Sequence, residues 1–121
     1  MTALAATPAL AFAAAAQGAR CTSNFTFVAG GVTEVEARTP RDQTCVLNYG
    51  RRSAILSYAL VNPPARGIIG SAGNSDGRYR TAYRPNPGYV GPDVFEVDIR
   101  YIPQSGQARN TRVRVRMTVQ P

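Results

Sequence analysis

The chain of 121 residues predicts an all-β protein, an antiparallel sandwich of about seven or eight short strands. Three observations lead there. Apolar residues recur with a period of two, and no segment sustains a helical period. Glycine, proline, asparagine and serine punctuate the chain at short intervals, as turns require. The segment from Tyr83 to Asp98 joins a Pro/Gly-rich corner to a strand that alternates apolar and charged side chains. The length supports one domain and leaves no room for two. A hydrophobic content of 44% belongs to a folding chain.

The elements follow in order. Leu4 to Ala16 is apolar and uncharged, with the length of a signal-peptide core and too little hydrophobicity to span a bilayer. Pro8 interrupts it, and it has no polar face, which argues against a helix belonging to the fold. Ala14-Ala15-Ala16 suits cleavage before Gln17, and Ala16-Gln17-Gly18 suits cleavage before Ala19. No basic residue precedes Arg20, so the usual charged start of such a segment is missing. The expected division is a leader at 1–18 and a sandwich at 21–120, with the mature chain starting between Gln17 and Cys21. Cys21 and Cys45 are the two cysteines. In an exported protein an even count suggests one disulfide, and the wide spacing supports neither a redox motif nor a zinc knuckle.

Beyond the leader, Phe25 and Phe27 alternate with polar neighbours before Gly30-Gly31 breaks the run. Thr33, Val35 and Ala37 form the inward set of the next strand, and Cys45, Leu47 and Tyr49 that of another. A polar loop follows at Gly50 to Ser53. Leu56, Tyr58 and Leu60 are expected inward, until Pro63 and Pro64 end the strand. Ile68 and Ile69 make a short strand, and Gly70 to Gly77 an exposed loop. Tyr79, Thr81 and Tyr83 alternate with Arg78, Arg80 and Ala82. At the corner, Pro85 and Pro87 fix φ, Gly88 and Gly91 permit tight bends, Asp93 accepts backbone N–H bonds, and Phe95 enters the core. Val97 and Ile99 continue inward against Glu96, Asp98 and Arg100. The last strand sets Val113, Val115, Met117 and Val119 against Arg112, Arg114, Arg116 and Thr118.

Pro64-Ala65-Arg66-Gly67, Tyr83-Arg84-Pro85, Asn86-Pro87-Gly88-Tyr89, Gly91-Pro92-Asp93-Val94-Phe95 and the valines from Val113 to Val119 together resemble bacterial immunoglobulin-like and cadherin-like sandwich modules of secreted and surface proteins. The resemblance covers Leu56 to Val119. It implies an immunoglobulin-like sandwich with a structural or protein-interaction role in the cell envelope. It implies no catalytic residue, because function does not follow from fold. The chain lacks the core tryptophan of antibody domains, and its cysteines do not match their inter-sheet pair. It has no clustered Asp-x-Asp pattern of the kind that holds calcium.

The chemistry of the side chains narrows the function. Fourteen arginines and no lysine face seven carboxylates, a formal charge of +7. With neither His nor Lys, a serine nucleophile has no base and a transition metal lacks its commonest ligand. No glycine-rich loop opens a helix, so no phosphate cradle is expected. Glu34/Glu36 and Glu96/Asp98 are pairs on one strand face. Such pairs serve glycosidases in a cleft, but they are also what a solvated strand face contains. The reading is a protein that is not an enzyme, with no cofactor and no metal. Its expected partner is a protein or a second copy. Arg112, Arg114 and Arg116, extended by Arg100 and Arg109, have two readings. They form a cross-strand ion-pair ladder with Glu96 and Asp98, or a stripe for an anionic polymer such as acidic glycan, lipopolysaccharide or nucleic acid without sequence specificity. Arg78, Arg80 and Arg84 form a second basic face, with Tyr79 and Tyr83 behind it. Asn24-Phe25-Thr26 matches a glycosylation sequon.

Overall fold

A computed structural model describes residues 21, 25–73 and 76–121. The leader, its cleavage sites and Asn24 of the sequon lie outside the described residues.

Among the described residues, seven strands form two sheets. They are β1 (Val32–Pro40), β2 (Cys45–Arg51), β3 (Ile55–Asn62), β4 (Gly67–Ser71), β5 (Arg78–Pro85), β6 (Gly91–Tyr101) and β7 (Arg109–Gln120). One sheet has the order β1-β7-β6-β3 and the other β2-β5-β4. The protein is therefore all-β, and its layout is that of a sandwich. Among the described residues no helix is long and apolar enough to cross a membrane.

Period-two alternation does what the physics of a half-covered sheet demands. Along β1, Thr33, Val35, Ala37 and Thr39 are buried between exposed neighbours. In β6 and β7, Phe95, Val97, Ile99, Val113, Val115 and Met117 are sealed from water. These two strands pair antiparallel without interruption from Gly91↔Val119 to Tyr101↔Arg109. In the facing sheet, Cys45, Leu47, Thr81 and Tyr83 close the core from the other side. Most pairs are antiparallel. The exception is β1, which runs parallel to β7 from Val32↔Arg112 to Pro40↔Gln120. The segment before β1 extends this ladder, with Gly30 N–H donating to the Asn110 carbonyl and Gly31 accepting from Arg112 N–H.

Cys21 and Cys45 form a disulfide with a sequence separation of 24. Closing a loop of that length stabilises the fold by about 3.5 kcal/mol in the chain-entropy account. It anchors the segment ahead of β1 to the first residue of β2.

Several expectations need correction. Phe25 and Phe27 form no strand. They pack on the core from an irregular segment, Phe25 edge-on to Tyr49 at 6.3 Å and Phe27 against Tyr101 at 4.7 Å. Leu56, Tyr58 and Leu60 are not a common inward set. Register shifts fall between Ile55 and Ser57 and between Leu60 and Asn62. The first leaves Leu56 at a bulge, 49% exposed. Tyr58 is half-buried, whereas Leu60 is 40% exposed although its partner Val97 is fully buried. The polar segment after Gly50 is shorter than expected as a loop: Arg51 belongs to β2, and Arg52–Ala54 make one 3-10 turn. Gly70 and Ser71 belong to β4, so the loop after it is shorter at its start.

Candidate functional site

The corner is the best-tied part of the molecule. Asn86, Pro87, Gly88 and Tyr89 make a type II turn: Tyr89 N–H donates to the Asn86 carbonyl at 3.0 Å, and Gly88 takes the positive φ of 76° that this turn needs. Gly88 N–H donates to the Asp42 carboxylate at 2.8 Å, which ties this turn to the β1–β2 turn. Pro85 is buried opposite Gly67. Asp93 sits at the centre. One carboxylate oxygen accepts from Ala65 N–H at 3.0 Å and Val94 N–H at 2.9 Å. The other accepts from Arg66 N–H at 3.1 Å and the Tyr83 hydroxyl at 2.7 Å. The Tyr83 ring stacks on Phe95 at 5.9 Å with planes 6° apart. Burial, with the bond to Asp93 as second cause, pushes the Tyr83 phenol far above its usual range. Tyr89 closes the bend at Gly91 by donating to the Pro92 carbonyl, and the Arg66 guanidinium lies 5.5 Å from the centre of its ring. These groups are engaged with one another and brace the corner.

Most of the described arginines lie on the two outer sheet faces. On the four-stranded sheet, register sets Glu34, Arg114 and Glu96 in one row across β1, β7 and β6. Arg114 donates to Glu96 at 2.6 Å and to Glu34 at 2.9 Å. Arg112 grips Asp98 with two bonds of 2.8 and 3.0 Å. Arg116 lies 3.5 Å from Glu34. Asn62 donates to the second oxygen of Glu96. The bond from Arg114 holds the Glu96 carboxyl below the usual range, and the bond from Arg112 does the same for Asp98. These bonds make the row an ion-pair network. Among the described residues, five arginines on this face (38, 100, 112, 114, 116) meet four carboxylates (Glu34, Glu36, Glu96, Asp98).

Arg100 lies one strand away on the same face and donates to the Asn110 side chain at 3.2 Å. It lines a shallow cavity of about 470 Å³ with Gly30, Ser57, Asp98, Asn110 and Arg112. Arg109 does not join the stripe. It pairs with the buried Tyr101 at the start of β7, out of phase with Arg112 to Arg116.

The outer face of the three-stranded sheet is built differently. Arg78, Arg80, Ala82 and Arg84 alternate outward along β5. Their neighbours across the strands are Arg51, Asn48, Val46 and Ile68. Two arginines, Arg51 and Arg78, therefore stand directly opposite one another, an arrangement that is unfavourable on its own. Arg80 is held by Asp76 through two bonds of 2.7 and 2.6 Å. Among the described residues, Arg51, Arg78 and Arg84 have no carboxylate within 4.0 Å. Among those same residues, four arginines share this face with a single aspartate. Arg51 was hidden in the sequence, because only the bulge between Asn48 and Arg51 brings it opposite Arg78. Glu34 was hidden because β1 and β7 are far apart in the chain.

Between the sheets, Tyr49, Tyr58 and Tyr79 pack with ring centres 5.3 to 6.2 Å apart. Tyr49 bonds to Thr81 at 3.1 Å, and the buried Tyr58 hydroxyl has no hydrogen-bond partner among the described residues. A cleft of about 380 Å³ opens beside them, lined by Leu60, Ile69 and Arg52. Among the described residues no three His, Cys, Asp or Glu side chains are grouped as metal ligands would be.

No family model matches the chain, and no curated protein matches it.

Proposed function

We propose that the chain is a non-catalytic, exported binding module of immunoglobulin-like type, working by contact in the bacterial cell envelope. Its ligand is an anionic polymer of that envelope, an acidic glycan or lipopolysaccharide. The observation that carries this reading is the outer face of the three-stranded sheet, where Arg51, Arg78 and Arg84 lack carboxylate partners among the described residues. A row of anionic groups laid along β5 would relieve the Arg51–Arg78 repulsion and engage guanidinium forks suited to phosphate, sulfate or carboxylate. From Arg78 to Arg84 the strand runs roughly 20 Å, several repeats of a charged polymer. The ladder of Arg112, Arg114 and Arg116 is the weaker site, because its cations already hold acids. The disulfide supports an oxidising compartment. The envelope setting rests on the family resemblance of the corner.

The test is salt elution from a sulfated-polysaccharide resin and from immobilised lipopolysaccharide. Arg51→Ala/Arg78→Ala/Arg84→Ala should elute at much lower salt than the parent. Arg112→Ala/Arg114→Ala/Arg116→Ala should change elution far less. Equal losses from the two triple variants would mean that only bulk charge matters, and the assignment would fall.

A further inference from the structure

The four strands that border the sheets do not end alike. β3 carries two register shifts and β2 carries one, and β4 has only five residues. Bulged and short borders resist pairing with another chain. β1 is different. Its nine residues pair with β7 without a shift, and its other side has no strand among the described residues.

The end bonds of the β1–β7 ladder fix which backbone groups face that open side. Gly31 accepts from Arg112 N–H, and Arg41 N–H donates to the Gln120 carbonyl at 2.7 Å. Bonding alternates residue by residue along a parallel strand. Thr33, Val35, Ala37 and Thr39 therefore turn their backbone groups to β7. Glu34, Glu36 and Arg38 turn theirs outward. Glu36 and Arg38 are exposed, and among the described residues neither has an ion-pair partner.

We propose that β1 pairs antiparallel with β1 of a second copy, about a two-fold axis passing beside Ala37. In this register Glu36 of each copy faces Arg38 of the other, and the outward backbone groups of both residues bond reciprocally. The Pro40 carbonyl already accepts from Gln43 N–H at 3.1 Å, so the seam rests on about four backbone bonds, two at each Glu36–Arg38 pair. The neighbouring registers are excluded by charge. Centring on Glu36 places two Glu36 side chains together, and centring on Val35 sets Glu34 against Glu36. The inner residues at the seam are small, so the two sheets meet as one sheet without a clash of bulky side chains. The result is an isologous dimer with an eight-stranded sheet. This inference does not depend on the anion-binding reading, since Glu36 and Arg38 lie on the other sheet.

The test is sedimentation across a wide range of protein concentration, using the full chain with its disulfide intact and circular dichroism as a check on folding. The parent should dimerise. Glu36→Arg and Arg38→Glu should each weaken self-association by about tenfold or more, because each variant creates two like-charge pairs. Glu36→Arg/Arg38→Glu in one chain should restore the dimer. An equimolar mixture of the two single variants should form a mixed dimer, because one chain then carries arginine at both positions and faces a chain that carries glutamate at both. A monomeric parent, single variants that dimerise as the parent does, or a mixture that stays monomeric would overturn the proposal.

Discussion

Replacing Asp93 with alanine removes one acceptor from four donors. The Tyr83 hydroxyl is then stranded in a site fully closed to water. An unsatisfied buried donor costs about 1–3 kcal/mol. Ala65 and Arg66 N–H lose their partners in a partly exposed turn, where water can replace some of the bonding, at about 0.5–1 kcal/mol each. The total is on the order of 3–4 kcal/mol, a large share of the stability of a domain this size. Tyr83→Phe is the gentler companion. It keeps the stack on Phe95 and leaves the carboxylate its three N–H donors, so about 1–2 kcal/mol is expected. The two changes share one bond. Asp93→Ala should therefore cost about 1–2 kcal/mol less in a Tyr83→Phe background than in the parent. Urea titration followed by circular dichroism and tyrosine emission measures all four corners of the cycle. A loss under about 1 kcal/mol for Asp93→Ala, or strict additivity, would refute the corner as a brace.

Two further outcomes follow from geometry. Gly67→Ala should destabilise by about 2–3 kcal/mol, because a Cβ there would sit 2.6 Å from the Arg84 carbonyl and 2.7 Å from the Tyr83 ring; an unchanged urea midpoint would show that the neighbours yield freely. Acidification should weaken the ladder. The carboxyls of Glu96 and Asp98 are depressed in the folded state, so their contribution is complete above the ordinary carboxylate range and disappears as pH falls through the depressed folded values. Asp98 is half exposed and Glu96 lies at the surface beneath its arginine partners, so the combined effect is about 1 kcal/mol or less and smaller in high salt. Arg114→Ala should flatten the acid limb of the stability–pH curve, and an unchanged limb in that variant would contradict the pairing.

What the sequence disclosed and what it withheld divide along one physical line. Alternation is visible wherever a sheet face is covered evenly, as at Val35, Leu47, Tyr83, Phe95 and Val115. It fails in β3, where two register shifts change the phase and Leu60 is left partly uncovered. Phe25 and Phe27 alternate as strand residues do, yet their rings are satisfied by Tyr49 and Tyr101 without a ladder. Asp93 could be read as a turn acceptor from its own neighbours, but its donors at Ala65 and Arg66 come from a turn that only the folded chain brings near. The same holds for the charges. The ladder of Arg112 and Arg114 with Asp98 and Glu96 could be read from alternation in β6 and β7, whereas the share taken by Glu34 needed β1 to arrive beside β7. Arg51 looks like a loop residue until a bulge sets it against Arg78. Local period is written in the chain, whereas neighbours across a sheet are decided by topology.

The Cys21–Cys45 bond encloses β1 within a covalent ring. A border strand held on one flank is ordinarily the easiest to peel off and lend to a neighbour, with each molecule completing the other. Here such an exchange is curtailed, because a strand tied back at both ends cannot travel far from its own core. Any assembly through this border therefore proceeds by abutting intact molecules. Reducing the bond would remove the tether and open the route to interlocked, slowly separating species.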